Sequence, residues 1–398
     1  MNHSFSVAPI VEESTAANPI DAQQHLLIKQ LAVLILEMLL ALPLGFSLAK
    51  FHIGGIAWIF GGIAAGTVVL QGCRIFYQYY PKPNRTARKV GMALVGLTVG
   101  ASSSHSDLAS VASSIPIFIL LTFFLLLCGS CIGYIYSRLS QTNLLTAMLA
   151  TVPGGVGIMA AIAADYGRNV TLVALVQALR VTTVVFLIPF IARTAVGNSW
   201  NQQTIPIQSN LLNFEPSQLG LLLLALGVTG LIVYLSVFLK IPAADFFGAI
   251  LIGIAFNPFL DLLPFAHDIH FTPPRLINLV GQMLLGITIG EYWGDKPSFN
   301  TRTIGYAVMS VVMTLIAGAI AAMLAMQLTS WDWLTCLLVT APGGSAEMIL
   351  VSLVLNHNVE VVTTGHLVRL IAINSSLPIW IFLFRRLDGK LSEAASVN

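Results

Sequence analysis

The sequence says one thing twice. Residues 146–189 and 335–378 match at a constant offset of 189. Thr146, Thr151, Pro153, Gly154, Gly155, Met159, Asn169, Arg180 and Pro189 align with Thr335, Thr340, Pro342, Gly343, Gly344, Met348, Asn358, Arg369 and Pro378. Upstream, Val90–Gly100 matches Val280–Gly290 at an offset of 190. Any fold for this chain must therefore be assembled from two similar halves.

Composition places both halves in a membrane. Apolar residues make up 56% and charged residues 9%, against roughly 25% charged in soluble domains. Apolar runs of spanning length recur throughout. A net charge of +2 without a basic stripe argues against nucleic acid as a partner. Residues 1–25 are polar, carry Glu12 and Glu13, and read as an N-terminal tail rather than a signal peptide. Repeat 1 then spans 26–196, a polar linker 197–217, repeat 2 218–386, and a C-terminal tail 387–398. Cys128 and Cys131 have CxxC spacing but lie inside an apolar run, where small residues serve helix packing.

The expected architecture is an all-α integral membrane protein of two helical repeats, with about 10 spanning helices. The third apolar segment of each half, Val90–Ala101 and Leu276–Ile289, is shorter than the roughly 17 residues a crossing requires. Such segments suit re-entrant or interfacial positions. If they do not cross, each half has an odd number of spans and the repeats are inverted. If they do cross, the repeats run parallel. The short segments favour inversion. Positive charge marks the loop with Arg74, Lys82, Arg85, Arg88 and Lys89, and the tail with Arg385, Arg386 and Lys390, as cytoplasmic. A bacterial-type inner membrane with an internal C-terminus is expected, although charge alone separates the two topologies poorly.

Pro153-Gly154-Gly155 and Pro342-Gly343-Gly344 sit near the middle of apolar segments Leu144–Ala164 and Trp333–Leu355. Proline removes a donor and glycine relaxes the backbone, so both helices should break at mid-membrane. Broken ends are tolerated only when buried or facing a wet cavity, and a new N-terminus suits an anion. Proline kinks used for packing are the plainer reading of either motif alone. Arg180 and Arg369 each follow a loop asparagine by eleven residues. That depth is near the midplane, where an arginine needs a partner. It could grip an anion bidentately, or satisfy helix carbonyls. Gln177 and His366 lie one turn earlier on the same face. Glu347, opposite Ile158 in the other repeat, could carry a proton, ligate a cation or neutralise Arg369. Glu37 in the first span is a second buried carboxylate of the same kind, and Glu291 ends a short segment. Ser102–Asp107 could line a vestibule or form a solvated loop. His267, Asp268 and His270 share a loop without the helical context of a metal site. No metal or other cofactor, and no enzymatic activity, is expected.

The tandem Pro-Gly-Gly units, each followed by a buried arginine, resemble the AbrB-like membrane family, in which the duplicated unit occurs twice. The resemblance covers most of 26–386. It brings with it the labels transcriptional regulator and ammonia monooxygenase, neither of which follows from these residues. The arrangement is also similar to transporters with paired broken helices, such as the bile-acid symporter, auxin-carrier and cation–proton antiporter groups, an analogy of fold alone. The expected function is secondary transport or export of a small organic anion. Its site would lie between the broken helices, with a coupling proton or sodium ion. The alternative is a membrane-embedded sensor that affects gene expression without flux. A homo-oligomer is compatible with either.

Overall fold

The computed structural model describes residues 19–50, 56–78, 83–103, 111–196, 216–238, 244–262, 270–293, 300–355 and 357–396. The tail before 19, the linker segment 197–215, Ser104–Asp107, His267 and Asp268 lie outside the described residues. The described chain is all-α. Repeat 1 holds α1 Pro19–Lys50, α2 Ala57–Tyr77, α3 Arg85–Ser102, α4 Ile115–Ser140, α5 Leu144–Thr151, α6 Val156–Asp165 and α7 Val170–Val196. Repeat 2 holds α8 Pro216–Phe238, α9 Ala244–Asp261, α10 Arg275–Glu291, α11 Thr301–Leu328, α12 Trp333–Thr340, α13 Ser345–Val354 and α14 Val359–Ser396. The seven helices of one repeat correspond one for one to those of the other. α1 already begins at Pro19, inside the segment expected to be tail.

Eight of these helices are long and apolar enough to cross a bilayer: α1, α2, α4, α7, α8, α9, α11 and α14. Large apolar side chains face outward along α1 and α8, among them Leu31, Ile35, Leu224 and Leu231, as lipid contact requires.

The third helices correct an expectation. Arg85–Lys89 extend α3 to 18 residues, capped by the Asn84 side chain, which accepts from the Thr86 and Ala87 amides. α10 has 17 residues. Both reach spanning length because polar residues at their starts are helical too. They form the centre of a six-helix scaffold, where α2 packs on α10, α3 on α9, and α3 on α10, with α1 and α8 outside.

Close glycine contacts give the helix directions. A methyl group built on Gly286 would lie 2.1 Å from Ile59 O, and one on Gly290 2.4 Å from Ile63 O. Numbers rise together, so α2 and α10 are parallel. Gly96 meets Phe246 O and Gly100 meets Ile250 O, so α3 and α9 are parallel too. Gly91 instead meets Leu284 and Leu285, while Gly281 meets Leu94 and Val95. α3 and α10 are repeat equivalents, and they run antiparallel. The repeats are inverted.

The odd span count has a different origin from the one expected. The Pro-Gly-Gly segments break, but they turn back rather than continue. A single carboxylate, Asp388, accepts from Asn143 Nδ2 (2.6 Å) and the Leu144 amide (3.3 Å) at the start of α5, and from Arg168 Nη2 (3.3 Å) beyond the end of α6. In the other repeat, Asp332 at the start of α12 accepts from Asn358 Nδ2 (3.3 Å) beyond α13, and His357 Nδ1 lies 3.5 Å from it. Each pair, α5–α6 and α12–α13, is thus a re-entrant hairpin whose ends share one face. Eight-residue first arms reach about 12 Å, less than half of a 30 Å core. The first, second, fourth and last helices of each repeat are apolar enough to cross; counted with the third, which has spanning length, they make five crossings per repeat.

This connectivity makes an accessibility prediction. Single cysteines at Thr142 and Gly167 should react with a membrane-impermeant maleimide from one side, and cysteines at Ser330 and His357 from the other. Labelling of Thr142 and Gly167 from opposite sides would mean that α5–α6 crosses.

Candidate functional site

The hairpins enter from opposite faces, and the same two helices, α7 and α14, hold both tips. Gly343 of the second tip lies against Val184 of α7, one turn beyond Arg180, which holds the first tip. The repeat equivalent of Val184 is Ile373 of α14, and it clusters with Val152 of the first tip. α7 and α14 therefore each touch both tips.

A chain that stops mid-membrane leaves carbonyls without partners, and here named side chains supply them. Gln177 Nε2 donates to Leu149 O (2.8 Å) and Val152 O (3.0 Å). Arg180 Nη1 donates to Thr151 O (3.1 Å) and its Nη2 to Gln177 Oε1 (2.6 Å). In the other repeat, Arg369 Nη1 donates to Ala341 O (2.8 Å) and Nη2 to His366 Nδ1. His366 Nε2 lies 3.0 Å from Leu338 O. Those contacts assign the tautomer: Nδ1 accepts from a guanidinium, so Nε2 carries the proton and the ring is neutral. All four residues are buried. Each guanidinium caps the negative end of a broken arm. The bidentate fork expected to meet an anion is thereby turned to the chain's own carbonyls and neighbours, while two positive charges remain at the centre.

Because glutamine reproduces both histidine contacts in repeat 1, His366→Gln is expected to stay within about 0.5 kcal/mol of wild type. His366→Leu, which orphans Leu338 O and one Arg369 donor, should cost about 1–3 kcal/mol for each orphan. Detergent thermal melts of the two variants check the difference.

Two supporting glycines lie outside the aligned segments 90–100, 146–189, 280–290 and 335–378. Thr151 Oγ1 donates to Ala147 O and Gly129 O (3.0 Å each), and Thr340 Oγ1 to Cys336 O (2.8 Å) and Gly318 O (3.1 Å). Gly129 and Gly318 are themselves 189 apart, so the repeat offset could have found them. They let α4 and α11 lie against Pro153 and Pro342.

Beyond each tip, the return arm starts without a side-chain cap. Gly155 (φ +83°, a conformation that suits glycine) begins α6, and Gly344 begins α13. The two N-termini differ. Glu347 folds back over Gly344, so close that a methyl group there would overlap its Oε2. Glu347 is buried, and neither oxygen has a hydrogen-bond partner. It makes no bond to Arg369. Ile158 stands in its place in α6, leaving that N-terminus without a carboxylate.

The return arms also differ in surroundings. α13 is buried from Ala346 to Ser352 and packs on α3 of the scaffold. α6 buries only Val156, Met159 and Ala163. The tips sit level with the ends of α3 and α10, not their middles. Arg88, in the first turns of α3, is in electrostatic range of Glu347. Trp293, just past α10, donates from Nε1 to Thr182 Oγ1 of α7 (3.1 Å). Arg88 Nη1 also donates to Tyr292 OH (2.9 Å). The hairpin core is thus displaced along the scaffold toward the face bearing Asn143 and Arg168. Arg88 and Tyr292 are the site residues missed in the sequence, because Arg88 reads there as one more loop cation.

Glu37 and Glu291 belong elsewhere. Both are buried in the scaffold, in electrostatic range of each other, with Glu291 Oε2 accepting from the Asn84 amide (2.8 Å). Among the described residues, no three His, Cys, Asp or Glu side chains gather as a metal site would need.

Comparisons with known proteins find relatives over most of the chain. The family model described as "Transition state regulatory protein AbrB" matches residues 58–385. The "Uncharacterized protein YhjN" of Bacillus subtilis (strain 168) is 29% identical over 325 residues, 79% of this chain and 82% of that one. The "Putative regulator AbrB" of Escherichia coli (strain K12) is 25% identical over 298 residues, 73% of this chain and 80% of that one. No solved structure matches.

Proposed function

This chain belongs to the AbrB family, and from that premise we propose that it is a secondary transporter of a small organic anion. The observation that carries the reading is the pair of inverted re-entrant hairpins whose tips are both held by α7 and α14, each backed by a buried arginine. A structure that merely held helices together would gain nothing from two uncapped helix N-termini in the membrane interior. Secondary transporters place their sites at such broken helices, with positive helix ends toward anionic substrate.

The two tips take different roles in this reading. At α13 the Glu347 carboxylate already covers the positive end. At α6 the N-terminus is open, with Gly155 and Gly157 exposed. The anion binds there, in the field of Arg180 and Arg369.

Sidedness follows from charge. Among the side chains described, Lys29, Arg74, Arg85, Arg88, Lys89, Arg138, Arg168, Arg302, Arg385 and Arg386 sit toward the face of Asn143, and Lys50 and Arg275 toward the other. That ten-to-two bias marks the first face as cytoplasmic. The open α6 side then faces the cytoplasm of an inner membrane. A core displaced toward one face of an inverted-repeat scaffold has a mirror state at the other, and exchange between them is alternating access.

The names of the family model and the Escherichia coli relative favour a second reading, a membrane regulator without flux. Flux decides between them. Gly157→Cys should be modified by an impermeant maleimide from the cytoplasmic side and, once a substrate is found, protected by it. Modification that no transported solute slows would remove the α6 site.

A further inference from the structure

Two buried carboxylates of the scaffold belong to neither tip. Glu37 lies in α1, more than two turns inside from Lys29, and Glu291 ends α10. Close glycine contacts set their level. Gly45 meets Trp58, and Gly61 meets Ala41 O, so α1 and α2 are antiparallel. Glu37, one turn before Ala41, therefore falls beside residues 65–68 of α2. From the other side, Gly290 meets Ile63 O, Gly66 and Thr67 N of α2, and Glu291 is the next residue. Ala41, Ala65, Met283 and Ile287 close the three helices into one cluster a turn away. The two carboxylates thus flank the same turn of α2, in electrostatic range of each other.

Packing does not require them. At the repeat offset of 190, Glu291 corresponds to Ala101, and α8, the counterpart of α1, contains no Asp or Glu. Ala101 clusters there with Leu222 and Ala225 of α8. The same seam is closed in the other half by apolar side chains alone. Glu37 is fully buried, and neither of its oxygens has a hydrogen-bond partner among the described residues. Glu291 is buried too, and its Oε2 accepts from the amide of Asn84, a half-buried residue at the start of α3. Two ionised carboxylates at one level inside a membrane, one of them without a donor, are costly. A single proton between them removes the cost, because a neutral acid can donate to the neighbouring carboxylate. The other charged and titratable groups around the pair are Cys73 of α2, Tyr292 beside Glu291, Arg85 and Arg88 near Tyr292, and Lys29 and Arg74 toward the ends of α1 and α2. Among the described residues no third His, Cys, Asp or Glu joins the pair as a metal site would need.

We infer that Glu37 and Glu291 form a proton-binding site in the scaffold, with one proton held between the two carboxyl groups, separate from the anion site at the tips. Glu291 is its outer member, one hydrogen bond from the loop before α3. Glu37 is its inner member and holds the proton. The site stands on the scaffold alone and does not depend on the transport reading.

A lipid-soluble carbodiimide tests it, because such a reagent modifies a membrane-buried carboxylic acid but not its anion. Wild-type protein in lipid nanodiscs is treated with dicyclohexylcarbodiimide across pH, in sodium or choline chloride, and adducts are located by peptide mass spectrometry. The acid proton passes to a carbodiimide nitrogen and the carboxyl oxygen bonds to the central carbon. Acyl migration to nitrogen then leaves an N-acylurea that keeps every atom of both reactants. The expected result is an adduct on Glu37 that declines as pH rises and that sodium does not reduce. Glu291→Gln removes the second charge, so the decline should move to lower pH. Infrared difference spectra of wild type and Glu37→Gln read the same carboxyl group without reagent, and a C=O band lost in Glu37→Gln supports the site even where the reagent fails to reach it. Neither an adduct on Glu37 nor such a band would overturn the site. An adduct that sodium prevents would replace the proton with a cation, and a pH profile unchanged in Glu291→Gln would overturn the pairing. A protein that moves no anion can still pass this test, and one that fails it can still move an anion, so the two readings fall separately.

Discussion

Arg369→Ala is expected to abolish substrate movement and to lower stability by several kcal/mol. The loss has two parts. Ala341 O and His366 Nδ1 lose their donor inside the protein, at about 1–3 kcal/mol for each buried group left unpaired. The centre also loses one of its two fixed positive charges, which no water replaces at that depth. Arg369→Lys separates the parts. It keeps the charge, but a single ammonium cannot reproduce the planar fork that meets Ala341 O and His366 together. Lysine should therefore recover part of the transport and little of the melting temperature. Arg180→Ala should behave alike, since Arg180 holds Thr151 O and Gln177 in the same way. A stable Arg369→Ala protein would mean that the tip carbonyls have other partners.

Gly286→Leu is expected to prevent the scaffold from assembling. The added Cβ alone would stand 2.1 Å from Ile59 O, a backbone atom that no rotamer change can move. Inserting methylenes into an ordinary core costs about 1–3 kcal/mol because side chains can shift. Here two helices must separate along a seam that also includes Gly62, Gly66 and Gly290. Small-residue seams supply much of the association of membrane helices, so the protein should be lost from the monodisperse fraction. Gly305→Leu, at a position with open space around it, is the matched control and should express normally.

Much of this fold could be read in advance, because the repeat itself is a structural statement. The 189-residue offset paired the helices correctly and located both breaks and both arginines. What escaped was the direction taken after each break. Pro153-Gly154-Gly155 interrupts a helix whether the chain goes on or turns back. The choice is made by Asp388, which lies more than 200 residues from Asn143 and ties the two ends of the hairpin to one face. Length misled at α3, because Arg85, Arg88 and Lys89 disguise the first turns of an 18-residue helix as a loop. Once the hairpins are placed, the charges that seemed ambiguous in the sequence fall mostly on one side. The role of Arg180 and Arg369 was open between carbonyls and an anion. Only the positions of Thr151 O and Ala341 O show which groups the guanidinium atoms meet.

The most direct test of a central anion path is flux itself. Wild-type protein and the Arg369→Lys and Arg180→Lys variants are reconstituted into liposomes and challenged with a panel of small carboxylates under a clamped membrane potential. The account predicts that at least one carboxylate enters wild-type vesicles saturably. Arg369→Lys and Arg180→Lys should each slow that entry. Folded wild-type protein that moves no member of the panel, or that moves one equally well in all three forms, would contradict it.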